Sequence, residues 1–212
     1  EFRRVLFRSE RLQAFYRNYY QPDNAILIIA GKFDEAKTLG WIKETFGAVP
    51  KPTRTLTPTY TEEPVQDGER DVTLQRVGDN QVLMIAYHTP AGSDADSAAL
   101  DVLSSILTEP PAGRMYKALV ESKKAVNVAG ENNQLRDPGY LLFRAQVRKE
   151  GNLEDVRQTM ESVLEGVVKE PPNKDEVDRI LTRRKKDFEL LYNNPQRVAL
   201  LMSRSEEHTS EL

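Results

Sequence analysis

"AVNVAGENNQLRDPGYLLFRAQV", Ala125–Val147, contains two strand-like runs on either side of a turn. AVNVAGEN and YLLFRAQV carry the β-branched, aromatic and apolar residues that suit a pleated, half-buried surface, and Asp137-Pro138-Gly139 supplies turn chemistry between them. Strands joined this closely pair antiparallel, because a parallel pair needs a crossover of a dozen residues or more. On the C-terminal side, Asn152 caps a predicted helix whose Leu153, Val156, Met160, Val163, Leu164 and Val167 share an inner face. Asn173 with Glu176 forms a capping box opening another helix, which carries Val177, Ile180, Leu181 and Phe188.

On the N-terminal side the same grammar repeats. RDVTLQRV and QVLMIAY flank Gly78-Asp79-Asn80 and read as a hairpin or neighbouring strands. Ser93 to Leu107 is predicted helical, with Ser93 as cap and Asp96 in the capping-box position, and a second helix covers Gly113 to Ser122. The resulting order, ββααββαα, predicts an α+β fold with a mostly antiparallel sheet covered by helices on one side.

Further upstream, residues 48–69 place Pro50, Pro52, Pro58 and Pro64 among threonines and charges, the composition of a linker and a domain boundary. Before it, Leu12, Phe15, Tyr16 and Tyr19 recur at helical spacing until Pro22 stops the pattern. AILIIA, closed by Gly31, is a continuous apolar run expected to be a strand buried on both faces. Asp34 caps a following helix in which Leu39, Ile42 and Phe46 share a face and Gly47 ends the pattern.

The two ends are of a different kind. EFRRVLFRS at the front and RSEEHTSEL at the back can be encoded by one DNA stretch and its reverse complement, GAGTTCAGACGTGTGCTCTTCCGATCT and AGATCGGAAGAGCACACGTCTGAACTC. Selection on protein chemistry has no reason to produce that pairing, so residues 1–9 and 204–212 are expected to be translated sequencing adapter and are set aside. His208, part of an RSEEH run that imitates a zinc motif with Arg204 in place of the first histidine, goes with them. The front carries three Arg and one Glu and the back three Glu and one Arg, so the net charge of -3 survives trimming.

That mild acidic balance offers no electrostatic argument for nucleic acid or an anionic membrane. AILIIA is far short of the roughly 20 apolar residues a membrane helix needs. Zero cysteine excludes disulfides, thiolate zinc sites and a cysteine nucleophile, while leaving the compartment open. His88 is the one histidine left after trimming, and no carboxylate stands at a telling ligand spacing from it, so it reads as a structural or surface residue. Asp94 and Asp96 read as first-turn helix charges rather than an acid/base pair. Arg114 and Tyr116, in AGRMYKAL, lack any glycine-rich phosphate cradle; Arg114 is weighed as a substrate contact against an ion pair on the helix surface. RRKK, Arg183–Lys186, lies in a helix rich in Asp and Glu and reads as a solvated face. From the residues alone, no catalytic or metal-ligating side chain is assigned, and the substrate-binding residues are unknown.

FYRNYYQPDNAILIIAGKFDEAKTLGWIKETFGAVP, residues 15–50, resembles the stretch of insulinase/pitrilysin metallopeptidases in which a helix, an F-Y-x-x-Y-Y-x-P-x-N turn, a strand ending in Gly and a helix ending F-G-x-x-P lead from one domain to the next. Phe15, Tyr16, Tyr19, Tyr20, Pro22, Asn24, Gly31, Phe46, Gly47 and Pro50 carry it. YHTPAGSDADSAALDVLSSIL and GRMYKALVESKKA resemble the second domain of that family, and the likeness covers Glu10 to Ser203. It implies residues 10–47 as the tail of a first, zinc-bearing domain, 48–69 as linker and 70–203 as the second domain of the same half.

The resemblance also implies a zinc endopeptidase of inverzincin type, acting on peptides held in a closed chamber of two homologous halves on one chain or two. Zinc is expected in the full-length protein, bound by HxxEH histidines and a later glutamate that all precede the YYQPDN turn; none is expected in residues 10–203. The non-zinc half of such enzymes carries an arginine and a tyrosine spaced L-R-x-x-x-x-x-x-Y. Setting that pattern on Leu119 puts Val120 and Asn127 at the two positions, so the chain is assigned to the zinc-bearing half. A non-catalytic wall that has lost both sets is the alternative. The implied partners are a peptide or unfolded protein and a second half, with no nucleic acid and no membrane span, and the implied location is periplasmic or otherwise extracytoplasmic in a bacterium.

Overall fold

The computed structural model describes residues 9–56 and 65–209, and the chain divides into two compact units. The first runs to Thr73 and takes in Val198–Ser203; the second holds Leu74–Arg197.

In the first unit, α1 (Ser9–Tyr19) ends ahead of a 3-10 turn at Pro22–Asn24. Asn24 closes that turn by donating from Nδ2 to the Tyr19 carbonyl at 2.9 Å. α2 (Glu35–Phe46) begins as its sequence predicts: the Asp34 carboxylate accepts the Lys37 N–H at 2.9 Å, satisfying one of the orphan donors of the first turn. Gly47 follows as C-cap, its N–H bonded to the Lys43 carbonyl. Between the helices, AILIIA departs from expectation. The chain is extended, with Ala25 at φ -143° and ψ 142°, but residues 25–30 join no ladder, and Ile26 and Leu27 are 59% and 57% exposed. A strand exists only when a neighbouring backbone accepts and donates its hydrogen bonds, and no described segment does so here.

The second unit is built on an antiparallel sheet of β1 (Asn80–Thr89), β2 (Asn127–Asn133) and β3 (Gly139–Arg148), in the order β1-β3-β2. β3 is central: Leu83 and Val128 both pair with Ala145, and Ile85 and Gly130 with Phe143. Its burial alternates residue by residue. Gly139, Leu141, Phe143, Ala145 and Val147 are buried, whereas Tyr140, Arg144 and Arg148 face solvent. This is the period of two that a one-sided sheet requires.

Helices cover the buried side. Along the chain they are α3 (Asp96–Thr108), the single turn α4 (Arg114–Tyr116) continued by a π-helical turn at Lys117–Glu121, α5 (Leu153–Lys169) and α6 (Lys174–Leu191). Leu107, Met115, Leu119, Val156 and Met160 meet Leu141, Phe143, Ala145 and Val147 in one core, each large apolar side chain contributing about 1.5–3 kcal/mol by leaving water. Val163, Leu164 and Val167, assigned to the inner face of α5, pack against that core. Gly130 permits the approach of α3, because a Cβ there would lie 2.6 Å from Ser104 Oγ and 3.1 Å from the Phe143 ring. The α+β class with an antiparallel sheet is therefore the observed architecture.

Four local expectations are corrected. RDVTLQRV forms no strand: Val72 and Leu74 are 77% and 75% exposed, one strand instead of two precedes the first helices, and β1 is an edge among the described residues. Alternation predicts which faces a strand would present, not whether it finds a partner. α3 starts at Asp96, and Ser93 does not cap it. Asp94 takes that work, its carboxylate accepting the Asp96 N–H at 2.9 Å and its carbonyl the Ser97 N–H at 3.1 Å. The helix foreseen at Gly113–Ser122 is a single α turn running into a π turn. On α6, Ile180 is fully buried but Leu181 and Phe188 are about half exposed, so its inner face is narrower than its pattern suggested.

A further helix, α7 (Pro195–Thr209), went unforeseen. Its signal was present: Asn194 Oδ1 accepts the Arg197 N–H at 3.1 Å with Pro195 at the first helical position, a cap and a residue pre-set for a helix start. Of the two ends read as adapter, residues 1–8 and 210–212 lie outside the described residues.

Candidate functional site

Arg114 is the residue on which the structure is most explicit. It opens α4, and its guanidinium grips the start of α6: Nε donates to Glu176 Oε1 at 2.8 Å and Nη2 to Oε2 at 2.7 Å. Nη1 and Nη2 also donate to the carbonyls of Glu170 and Pro171, at 2.6 and 3.3 Å. Bidentate pairing of this kind is the strong form of the interaction, since two parallel charge-assisted bonds fix a planar fork on a planar carboxylate.

Glu176 is engaged on its other side too. It is the third residue of α6, and Oε2 accepts the Asn173 N–H at 3.0 Å while the Asn173 side chain accepts the Glu176 N–H. The Arg114 hydrogen bonds, followed by the Asn173 backbone bond, hold the Glu176 carboxyl down to about 2 against the opposing pull of burial. The same pairing raises Arg114. Side-chain exposure is 23% for Arg114 and 15% for Glu176. Of the two roles weighed for Arg114, the geometry is that of an ion pair, a staple between α4 and α6 with four hydrogen bonds to protein acceptors. Capping-box spacing identified Glu176 as an N-terminal signal; nothing in the sequence paired it with a residue 62 positions away.

Two residues of the basic run on α6, Arg183 and Arg184, are likewise engaged within the fold. Arg183 Nη1 donates to Glu109 Oε2 at 2.9 Å. Arg184 reaches Asp101 Oδ2 at 3.2 Å, the Asp101 carbonyl at 2.9 Å and Ser105 Oγ at 3.1 Å, tying α6 to α3. Lys185 and Lys186 face solvent. A second cross-link missed at the sequence level joins Lys124 Nζ to Asp155 Oδ1 at 3.0 Å and Thr159 Oγ1 at 3.1 Å.

His88 stands on the solvent-facing side of β1, opposite Tyr140 of β3. Asp94 and Asp96 are exposed at the turn into α3, where Asp94 caps. The structure does not assemble these three into a centre: among the described residues, no group of three His, Cys, Asp or Glu side chains is placed to hold a metal ion. The described residues therefore do not fit a zinc site. Val120 is half-buried against the core and Asn127 is exposed at the start of β2, where it pairs with Gln146. Neither position offers a charged or phenolic group.

What the second unit does present is a sheet face. Opposite the core, Val82 and Met84 of β1 and Tyr140 of β3 are 48%, 56% and 41% exposed, with Leu142 half-buried beside them and Arg144 exposed. Among the described residues no helix is long and apolar enough to cross a membrane.

Comparison with known proteins places these features. Zinc protease PqqE from Helicobacter pylori is 29% identical over 180 residues, which is 84% of this chain and 40% of that protein. The crystal structure of a protease from Helicobacter pylori superposes with a TM-score of 0.89 at 28% identity, covering 97% of this chain and 50% of that one. The periplasmic protease PqqL from Escherichia coli shares the fold, with a TM-score of 0.64 at 17% identity over 95% of this chain and 23% of that one. The chain thus spans half or less of the length of each. Residues 7–184 match the family model described as the peptidase M16 inactive domain. With that match over most of its length, and with the resemblance to insulinase-type metallopeptidases in its first third, the chain belongs to the M16 peptidase family as an inactive, peptidase-like domain.

Proposed function

We propose that residues 10–203 form the non-zinc wall and scaffold of a zinc-dependent endopeptidase that cleaves peptides inside a closed two-half chamber. The observation that carries this reading is coverage: the chain aligns along 97% of its length with half of a protease chain, and it matches a domain described as the inactive one of M16 peptidases. A one-sided sheet with a solvent-facing surface of Val82, Met84 and Tyr140 suits a wall. In this proposal residues 10–47 are the tail of the zinc-bearing domain, 48–69 a linker and 70–203 the second domain, with 1–9 and 204–212 translated adapter. Zinc and its ligands belong to other residues of the full-length protein. The periplasmic neighbour supports an extracytoplasmic location.

A second reading is a half that has lost zinc altogether and holds substrate or assembles the chamber. Val120 and Asn127 favour it as much as they favour the zinc-bearing half, since a wall of this kind needs neither the arginine nor the tyrosine. A longer DNA read across the upstream edge separates the two. An open frame encoding HxxEH and a later glutamate supports the enzyme, and the full-length product then cleaves a quenched peptide in a chelator-sensitive way; an intact frame without the motif overturns it. Independently, stoichiometric zinc on residues 10–203 that is lost in His88→Ala would sink the assignment of the metal elsewhere.

A further inference from the structure

We draw no further inference here: the strongest candidate, the apolar strip of Val82, Met84, Tyr140 and Leu142 on the exposed face of the three-stranded sheet, carries nothing because nothing in the structure shows what covers it.

Discussion

The two units are written in equally apolar sequence and handle it in opposite ways. Every buried apolar residue among those described, from Ile106 to Ile180, belongs to the second unit. In the first, Leu12, Phe15, Tyr16, Ile26, Leu27, Leu39, Trp41 and Phe46 all remain more than half exposed. Local order does not account for the difference, because α2 is capped by Asp34 as correctly as α5 is by Asn152. The second unit has a sheet onto which its helices can lay their apolar faces, and AILIIA has no strand partner among the described residues. Capping and periodicity form helices; burial against another layer makes a stable domain.

The sharpest way to break that comparison is to remove the centre of the core. Phe143 is fully buried between paired strands, and Phe143→Ala is expected to cost about 3–5 kcal/mol in urea unfolding followed by far-ultraviolet circular dichroism. Trp41, by contrast, is 55% exposed, and Trp41→Ala is expected to stay within about 0.5 kcal/mol of the parent. Trp41 is also the single tryptophan, so its emission reports the first unit by itself. A cooperative emission transition coincident with the dichroism transition, and shifted equally by Phe143→Ala, would show that the first unit has a stability not visible in its burial.

Next in size is the staple. Arg114→Ala leaves the Glu176 carboxylate partly buried without its main partner and is expected to destabilise the second unit by about 2 kcal/mol. The pH dependence has a definite sign. Glu176 is held at about 2 in the fold against an ordinary 4.5, so its stabilisation is fully present above pH 4.5 and is lost as pH falls toward 2. Glu176→Gln should flatten that part of the stability profile, and an unchanged slope between pH 4.5 and 2 would remove the ion pair from the account.

Smaller still are the caps, which compare the units through the same kind of helix-start hydrogen bond. Asn173→Ala removes one side of the α6 capping box and should cost about 1 kcal/mol of second-unit stability. Asp34→Ala removes the α2 cap and should fray that helix while leaving the dichroism midpoint in place. The smallest effect is expected from Ile26→Asn with Leu27→Asn. These side chains are more than half exposed and contribute little burial, so the midpoint should hardly move while binding of a hydrophobic dye falls. A lower midpoint would mean that they are packed.

Most of the helical framework was legible because its signals are local. Asp34, Asn152 and the Asn173/Glu176 box each satisfy donors within three residues, and the alternation of β3 records a single buried face. The connection through Asp137 and Pro138 joins β2 to β3 antiparallel as read, although Gly139, placed in the turn by its sequence, is the first residue of β3. Misreadings fell where local and non-local demands separate. Ser93 lost the cap of α3 to Asp94, a contest between neighbouring side chains that spacing cannot judge. The helix after Gly113 widened into a π turn ahead of Lys123, which adopts φ 63°.

By itself, then, the sequence determined the starts of α2, α5 and α6, the antiparallel strand pair on either side of Pro138, the lack of a disulfide framework and, through FYRNYYQPDN and its surroundings, the family. Only the tertiary structure decided that Arg114 clamps Glu176 rather than facing a ligand, that Arg184 binds α3, and that AILIIA and RDVTLQRV go without ladders. The reason is range. Caps and periodicity act over three or four residues, where sequence distance and spatial distance agree, whereas ion pairs and strand pairing join positions whose separation along the chain says nothing about their separation in space.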